Sequence, residues 1–322
     1  MKKILSMALC IVLVLTVFVG CSKEEGAKEK IAIAAASPGG GFYMGASALA
    51  NVINSNIDGL EATVESTGAS KHNVQLLEAG EVKLGLSATE VAWEAYNGKY
   101  NFDGDPHKKL RTMIAGWPSV YAFVTLEETG IKSLQDFNGK TFSGGPKGSS
   151  NEIFTQRVFE NLGIELNYLN LPTSDAASAL GDGRIDGFAI SLPSSAVKEL
   201  ETTHNVRLIA LSPEERSAFA QNYPQYVWLS TPAGDLKSAP DGYENFGLYN
   251  LFLASTNASE DLVYSIVKAA HENYDIIKDV FPAFEQGMQL ENVKYSTIPY
   301  HPGAVKYLRE KGLELSPELL PE

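Results

Sequence analysis

Residues Ile31–Asn54 read IAIAAASPGGGFYMGASALANVIN, and the order of their physical properties points to the fold. Ile31–Ala36 is a short apolar run without charge, the pattern of a buried strand. Ser37-Pro38-Gly39-Gly40-Gly41 breaks it, and from Gly45 to Asn54 the apolar residues Leu49, Val52 and Ile53 fall at helical spacing. Strand, glycine turn and helix form the first half of an α/β unit. The first backbone N–H groups of such a helix have no internal partner. With the helix dipole behind them they offer a place for an anion, and Gly40 lets a ligand come close to the backbone. Taken alone, one glycine-rich turn is more often a sharp bend and nothing more.

The residues before this unit indicate a compartment. Lys2 and Lys3 precede an uncharged apolar run, Ile4–Val19, that ends at Phe18-Val19-Gly20-Cys21. This is the layout of a secretory signal over residues 1–20. The site resembles a bacterial lipobox, with Phe18 where an aliphatic residue is usual and Cys21 as the lipidated first residue. An uncleaved anchor is the other reading, although the run is short for a membrane span. Residues 21–29, polar and charged, read as a linker. In both cases the body is expected outside the cytoplasm and tethered to a membrane.

Cys10 and Cys21 are the two cysteines of the chain, so the mature fold has no thiol for a disulfide, a metal cluster or a nucleophile. Some 300 residues remain, enough for one large or two medium domains held by their own core. The net charge is −13 over the whole sequence, and no basic patch stands out, which argues against a nucleic-acid partner. A small anion stays possible, because local dipoles rather than net charge hold it.

The body alternates strands and helices, the pattern of an α/β fold with sheets covered on both faces. Strands are expected at Glu61–Glu65, Val82–Ser87, Arg111–Trp117, Val120–Leu126, Thr141–Gly145, Tyr168–Pro172, Gly187–Ser191 and Val206–Leu211. Helices follow Ser66–Ser70, start at Thr89, and run over Ser149–Leu162 (ended by Gly163), Ser174–Leu180, Ser194–Leu200 and Pro213–Gln221. Asp261–Phe281 reads as one long amphipathic helix. Strands repeatedly end in Gly, Ser or Thr and hand over to a helix, and ligands of open α/β sheets bind beyond such strand ends. Several hydroxyl-bearing ends, without a His, Cys or Asp constellation, suit a site that holds a molecule by hydrogen bonds and does not cut it.

Four motifs in order resemble the TAXI-type solute-binding proteins that serve tripartite ATP-independent periplasmic (TRAP) transporters. Ser37–Tyr43 resembles their glycine–aromatic opening. Thr67-Gly68-Ala69-Ser70, with Asn73, Leu76-Leu77 and Gly80, is similar to their Thr-Gly-Gly-Ser segment, with Ala69 where a second glycine is common. Ile131–Lys140 and Gly148–Asn151 fit their second-lobe entry, with Asn151 where threonine is usual. His301-Pro302-Gly303-Ala304, followed by Tyr307, Glu310 and Gly312, is the most specific piece.

The resemblance implies a two-lobed periplasmic-binding-protein architecture of the type II, Venus-flytrap kind, with hinge strands between the lobes and a ligand in the cleft. Crossings at Val120–Leu126 and Leu248–Ala254 then give lobe one as residues 30–120 and 249–322, and lobe two as 121–248. The motif positions carried over are Gly40; Tyr43, which either meets a polar ligand group or packs; Ser70, which either contacts the ligand or caps its helix; Asn73; Ser87; Thr89; Ser149; Ser150; Asn151; and Ser191. Trp93 and Trp117 are expected as core or cleft wall, and His301 as a turn residue before Pro302. No arginine falls in these loops, so helix ends and hydroxyls would have to carry an acidic ligand's charge.

The function implied is a lipid-anchored binding protein on the outer face of a bacterial cell membrane. It would capture a small carboxylate, glutamate or 2-oxoglutarate-like, without a cofactor, and deliver it to a TRAP membrane subunit. A surface lipoprotein acting as a sensor or protein-interaction module shares the same fold. A serine hydrolase would need a Gly-x-Ser-x-Gly elbow, which Gly144–Ser150 does not supply. A dinucleotide enzyme would need a glycine spacing that Gly39-Gly40-Gly41 lacks.

Overall fold

The first strand and helix form as expected, but the helix begins earlier than its apolar spacing. The computed structural model describes residues 28–38, 40–281 and 287–321; the signal segment and Cys21 lie outside them. β1 (Glu29–Ala34) leads to α1 (Gly41–Asn56), whose N-cap is the extended Gly40. β2 (Leu60–Glu65), α2 (Ser70–Ala79), β3 (Leu84–Ala88) and α3 (Thr89–Asn97) follow. A long strand, β4 (Leu110–Leu126), leads to β5 (Thr141–Ser143), α4 (Ser150–Leu162), β6 (Asn167–Leu169), α5 (Thr173–Gly181), β7 (Gly187–Leu192) and α6 (Ser195–Leu200). Then come β8 (Val206–Ile209), α7 (Pro213–Asn222), β9 (Val227–Ser230) and the long β10 (Glu244–Ser255). The chain ends with α8 (Glu260–Glu272), α9 (Tyr274–Val280) and α10 (Pro302–Glu310).

The strand order is β2-β1-β3-β10-β4-β7-β5-β6, with β8 on β4 and β9 on β10. It contains the same arrangement twice. β1 pairs parallel with β2 and β3, and β3 is closed by an antiparallel β10. β5 pairs parallel with β6 and β7, and β7 is closed by an antiparallel β4. The result is two lobes joined by β4 and β10. β4 meets β10 over Leu110–Val120 and β7 over Val120–Val124, so one continuous strand serves both lobes.

Two expected boundaries are corrected. Arg111–Trp117 and Val120–Leu126 are one strand, not two, despite Pro118. The ladder with β10 absorbs the proline as an irregularity between Tyr249 and Leu251. The Asn250 amide staples it by donating to Trp117 O (2.8 Å) and Ser119 Oγ (2.8 Å), so the kink is a bulge inside a strand. The long helix Asp261–Phe281 is broken at Asn273, whose backbone leaves the helical region (φ −117°, ψ 34°) and whose amide donates to Ala269 O. β9 was not read from the sequence.

Apolar side chains form three clusters. One packs α1, α8 and α10 against lobe one. A second is shared by both lobes and contains Leu77, Val91, Phe154, Phe219 and Phe246. The third fills the space between α5, α6 and β7. Glu94 of α3 and Arg157 of α4 are buried where the lobes meet in the shared cluster. Their two contacts are 2.6 and 2.9 Å, with the Tyr226 hydroxyl 2.9 Å from the guanidinium. A buried pair of this kind is costly to break singly.

Candidate functional site

A cleft, partly open to solvent, lies where the two lobes face each other. Lobe one contributes Ser37, Gly40, Gly41 and Phe42, and the crossing strands contribute Trp117, Ser119 and Asn250. Lobe two contributes Ser149, Ser150, Asn151, Thr173, Ser191 and Ser194. Among the described residues no charged side chain lines it.

Trp117 is seated against glycines of α1. A Cβ on Gly45 would stand 2.7 Å from the Trp117 ring, so that position excludes any larger residue while the ring stays in place. Phe42 meets the indole edge-on with centroids 6.4 Å apart. This gives the cleft an aromatic side. The opposite side is polar: Ser149 caps α4 by accepting from Glu152 N (3.2 Å), and Ser191 Oγ donates to Asn151 Oδ1 (2.9 Å). Ser194 Oγ is buried and has no hydrogen-bond partner among the described residues. The starts of α1 and α4 both border the cleft, and such helix starts favour negative charge. α1 has no acidic residue in its first turn, whereas the carboxylate of Glu152 in α4 is engaged by Gly148 N–H and Asn170.

Of the residues predicted from the sequence, Gly40, Ser149, Ser150, Asn151 and Ser191 line this cleft together. Five do not, and the reasons are local. Asn73 is fully buried; its amide donates to Ala35 O and Leu86 O (2.7 Å each), and its Oδ1 accepts from Thr67 (2.6 Å). It ties the ends of β1 and β3 together. Ser70 Oγ accepts from Ala88 N (3.2 Å), and the buried Ser87 hydroxyl turns to Ala88 O. Thr89 Oγ1 accepts from Tyr249 N (3.2 Å). Tyr43 is half-buried one residue beyond the cleft-lining Phe42, because successive helical residues point about 100° apart. Trp117 is a cleft wall, and Trp93 is not among the lining residues. His301 is the N-cap of α10, accepting from Gly303 N (3.2 Å).

Backbone closes one edge of the cleft. The Lys71 N–H donates to Gly148 O across the lobes (3.0 Å), and a Cβ on Gly68 would lie 3.0 Å from Lys147 O. Gly68 of the Thr-Gly-Ala-Ser segment therefore serves the approach of the two lobes. Next to it Ala69 holds φ 64°, ψ −146°, a conformation that glycine tolerates far better.

The profile of the NMT1-like family matches residues 33–312, nearly all of the described chain. The chain belongs to the NMT1-like family. Solved structures share the fold at low identity. The periplasmic binding protein BugD has 12% identity and a TM-score of 0.58, covering 87% of this chain and 94% of that one. A structure described as a periplasmic transporter has 15% identity and a TM-score of 0.55, covering 80% and 87%. A structure from work on glutathione import in Streptococcus mutans has 13% identity and a TM-score of 0.51, covering 81% and 96%.

In this NMT1-like chain the sequence-based reading missed Ser37, Phe42, Ser119, Thr173, Ser194 and Asn250 as cleft residues. A signal for two of them was present. Gly116 and Pro118 inside an apolar β run mark a bulge, and a bulge re-aims the neighbouring side chains. Here Trp117 and Ser119, together with the opposing Asn250, are brought into the cleft.

Proposed function

We propose that this chain is an extracytoplasmic solute-binding protein that holds one small carboxylate-bearing molecule between its lobes, and that it is not an enzyme. The observation that carries the reading is a cleft shared by two lobes that, among the described residues, has no charged side chain, yet is bordered by two helix starts and by a Ser194 hydroxyl without a partner among those residues. Such a site supplies hydrogen-bond donors to an acceptor-only group, and the Trp117–Phe42 side suits the ligand's hydrocarbon. No catalytic constellation accompanies these donors among the lining residues. Residues 30–120 and 249–322 are assigned to lobe one and 121–248 to lobe two, with β4 and β10 as the hinge. Ligand would favour closure by binding both lobes at once.

On the resemblance of its motifs, the solute is of the glutamate or 2-oxoglutarate kind and the receiving partner is a TRAP membrane subunit. The lipid on Cys21 would hold the protein at the outer face of the cell membrane. Among the described residues no helix is long and apolar enough to cross a bilayer. Native mass spectrometry of the mature protein, purified without added ligand and then with a panel of small acids, tests the reading. One saturable 1:1 adduct is expected; no adduct with any acid would sink it.

A further inference from the structure

Two turns along α4 from the cleft, a pair of buried charges joins the lobes. Ser150 and Asn151 open α4 at the cleft, and Arg157 lies on the same helix about 10 Å further along. Its guanidinium meets the carboxylate of Glu94 on α3 with both terminal nitrogens, Nη1 to Oε1 at 2.6 Å and Nη2 to Oε2 at 2.9 Å. Gln225 Nε2 donates to the same Oε1 (3.2 Å), and Arg157 Nη1 donates to the Tyr226 hydroxyl as well (2.9 Å). The rings of Tyr100, Tyr223 and Tyr226 stand around the guanidinium, their centroids 5.0, 5.1 and 5.8 Å away.

These partners are divided between the lobes. Glu94 and Tyr100 belong to lobe one, and Arg157, Tyr223, Gln225 and Tyr226 to lobe two. Among the described residues, three side-chain hydrogen bonds reach the Glu94 carboxylate, and all three come from lobe two. A pair that served the core of one lobe would not be split in this way.

The energetics of such a pair decide what it does. Taking two ions out of water costs about as much as their attraction returns, so the pair is poor glue. One ion buried without the other is strongly unfavourable. The pair therefore imposes a condition: the lobes meet with both charges in register, or they do not meet. The two-pronged contact narrows the condition, because a guanidinium fork fits a carboxylate in a fixed orientation.

We infer that Glu94 and Arg157 are positioning residues of the binding site, which fix the arrangement of the lobes seen here and thereby set where the start of α4 stands opposite the start of α1. The inference rests on the reading of the chain as a two-lobed binding protein hinged at β4 and β10. It deepens that reading, because solute capture then depends on two residues that do not line the cleft.

Three variants of the mature protein test it: Glu94→Gln, Arg157→Met, and the double replacement Glu94→Leu with Arg157→Met. Each is measured by small-angle X-ray scattering without ligand, by thermal unfolding, and by titration with L-glutamate and 2-oxoglutarate. The wild type is expected to scatter as the structure with its lobes together. Either single change strands a buried polar or charged group, and is expected to expand the particle and weaken acid binding about a hundredfold. The double replacement strands neither, and is expected to restore the compact scattering and an affinity within about threefold of the wild type.

Single variants that melt lower but stay compact and keep their affinity would make the pair an ordinary core contact and overturn the inference. So would a double variant as expanded as the singles, or singles that lose their folded state altogether. Failure of both acids to bind the wild type would overturn the carboxylate reading alone. The scattering would still decide the role of the pair: singles more expanded than the wild type support it, and singles equal to it overturn it.

Discussion

The two lobes are built from the same succession of elements, but they spend their polar residues differently. The start of α2 in lobe one corresponds to the start of α5 in lobe two, and the end of β3 corresponds to the end of β7. In lobe one, Ser70, Asn73, Ser87 and Thr89 occupy these places and are used up on strand ends. In lobe two, Thr173, Ser191 and Ser194 occupy them and face the cleft. A hydroxyl at a strand end is thus not a ligand contact by position alone. In lobe one the neighbouring backbone groups claim these hydroxyls. Lobe one offers the cleft the start of α1, and lobe two with the β4 bulge offers it the lining hydroxyls, so we take the strand ends of lobe one as the frame and lobe two as the proposed grip.

Asn73→Ala gives the sharpest way to break this contrast. It leaves two buried carbonyls and the Thr67 hydroxyl without their amide partner, which should cost about 3 kcal/mol. Thermal unfolding would then shift down by roughly 5 °C. An unchanged melting temperature would remove Asn73 from the frame.

The next largest effect concerns Glu90. Its folded-state pKa, about 7, lies above its ordinary value of 4.5, so its favourable contribution is complete below about 4.5 and is lost as pH rises to about 7. Glu90→Gln removes that penalty. The variant should therefore gain on the order of 2 kcal/mol over the wild type at pH 8, and less at pH 5. Denaturant titration at the two pH values checks this, and an equal difference at both would contradict it.

A smaller effect of a different kind is expected at the grip. Ser150→Ala should weaken acid binding about tenfold, or 1.4 kcal/mol, with stability changed by no more than about 0.5 kcal/mol. Ala69→Gly relieves a strained backbone and should stabilise by about 1 kcal/mol with affinity retained. Tyr43→Phe, outside the cleft, should change neither affinity nor melting temperature measurably. A clear loss of affinity there would return Tyr43 to the site.

Much of the frame was legible because it is local. The apolar run into Gly40, the serine before α4 and the αL glycine Gly163 after it announce themselves in adjacent residues. The order of motifs also carried the two-lobed arrangement. What could not be read was the direction of individual side chains. Tyr43 and Phe42 differ by one helical step, and that step separates the cleft from its surroundings. Asn73 looks like a ligand residue until Ala35 and Leu86 are brought within 2.7 Å of its amide by sheet pairing. Glu90, Glu94, Tyr121 and Arg157 carry no motif at all. Only folding brings α3, β4 and α4 together, and the Glu90–Glu94 spacing by itself reads as a solvated helix face.

At the edge where Lys71 N–H reaches Gly148 O, one main chain touches another with bare glycine on either side. The contact itself is main chain, while Lys71, His72, Lys147 and Glu152 stand on its outer side. It predicts the outcome of crowding this edge: a Gly68→Val protein would keep its inner contacts but hold its guest briefly, with the loss appearing in the rate of escape and not in the rate of entry.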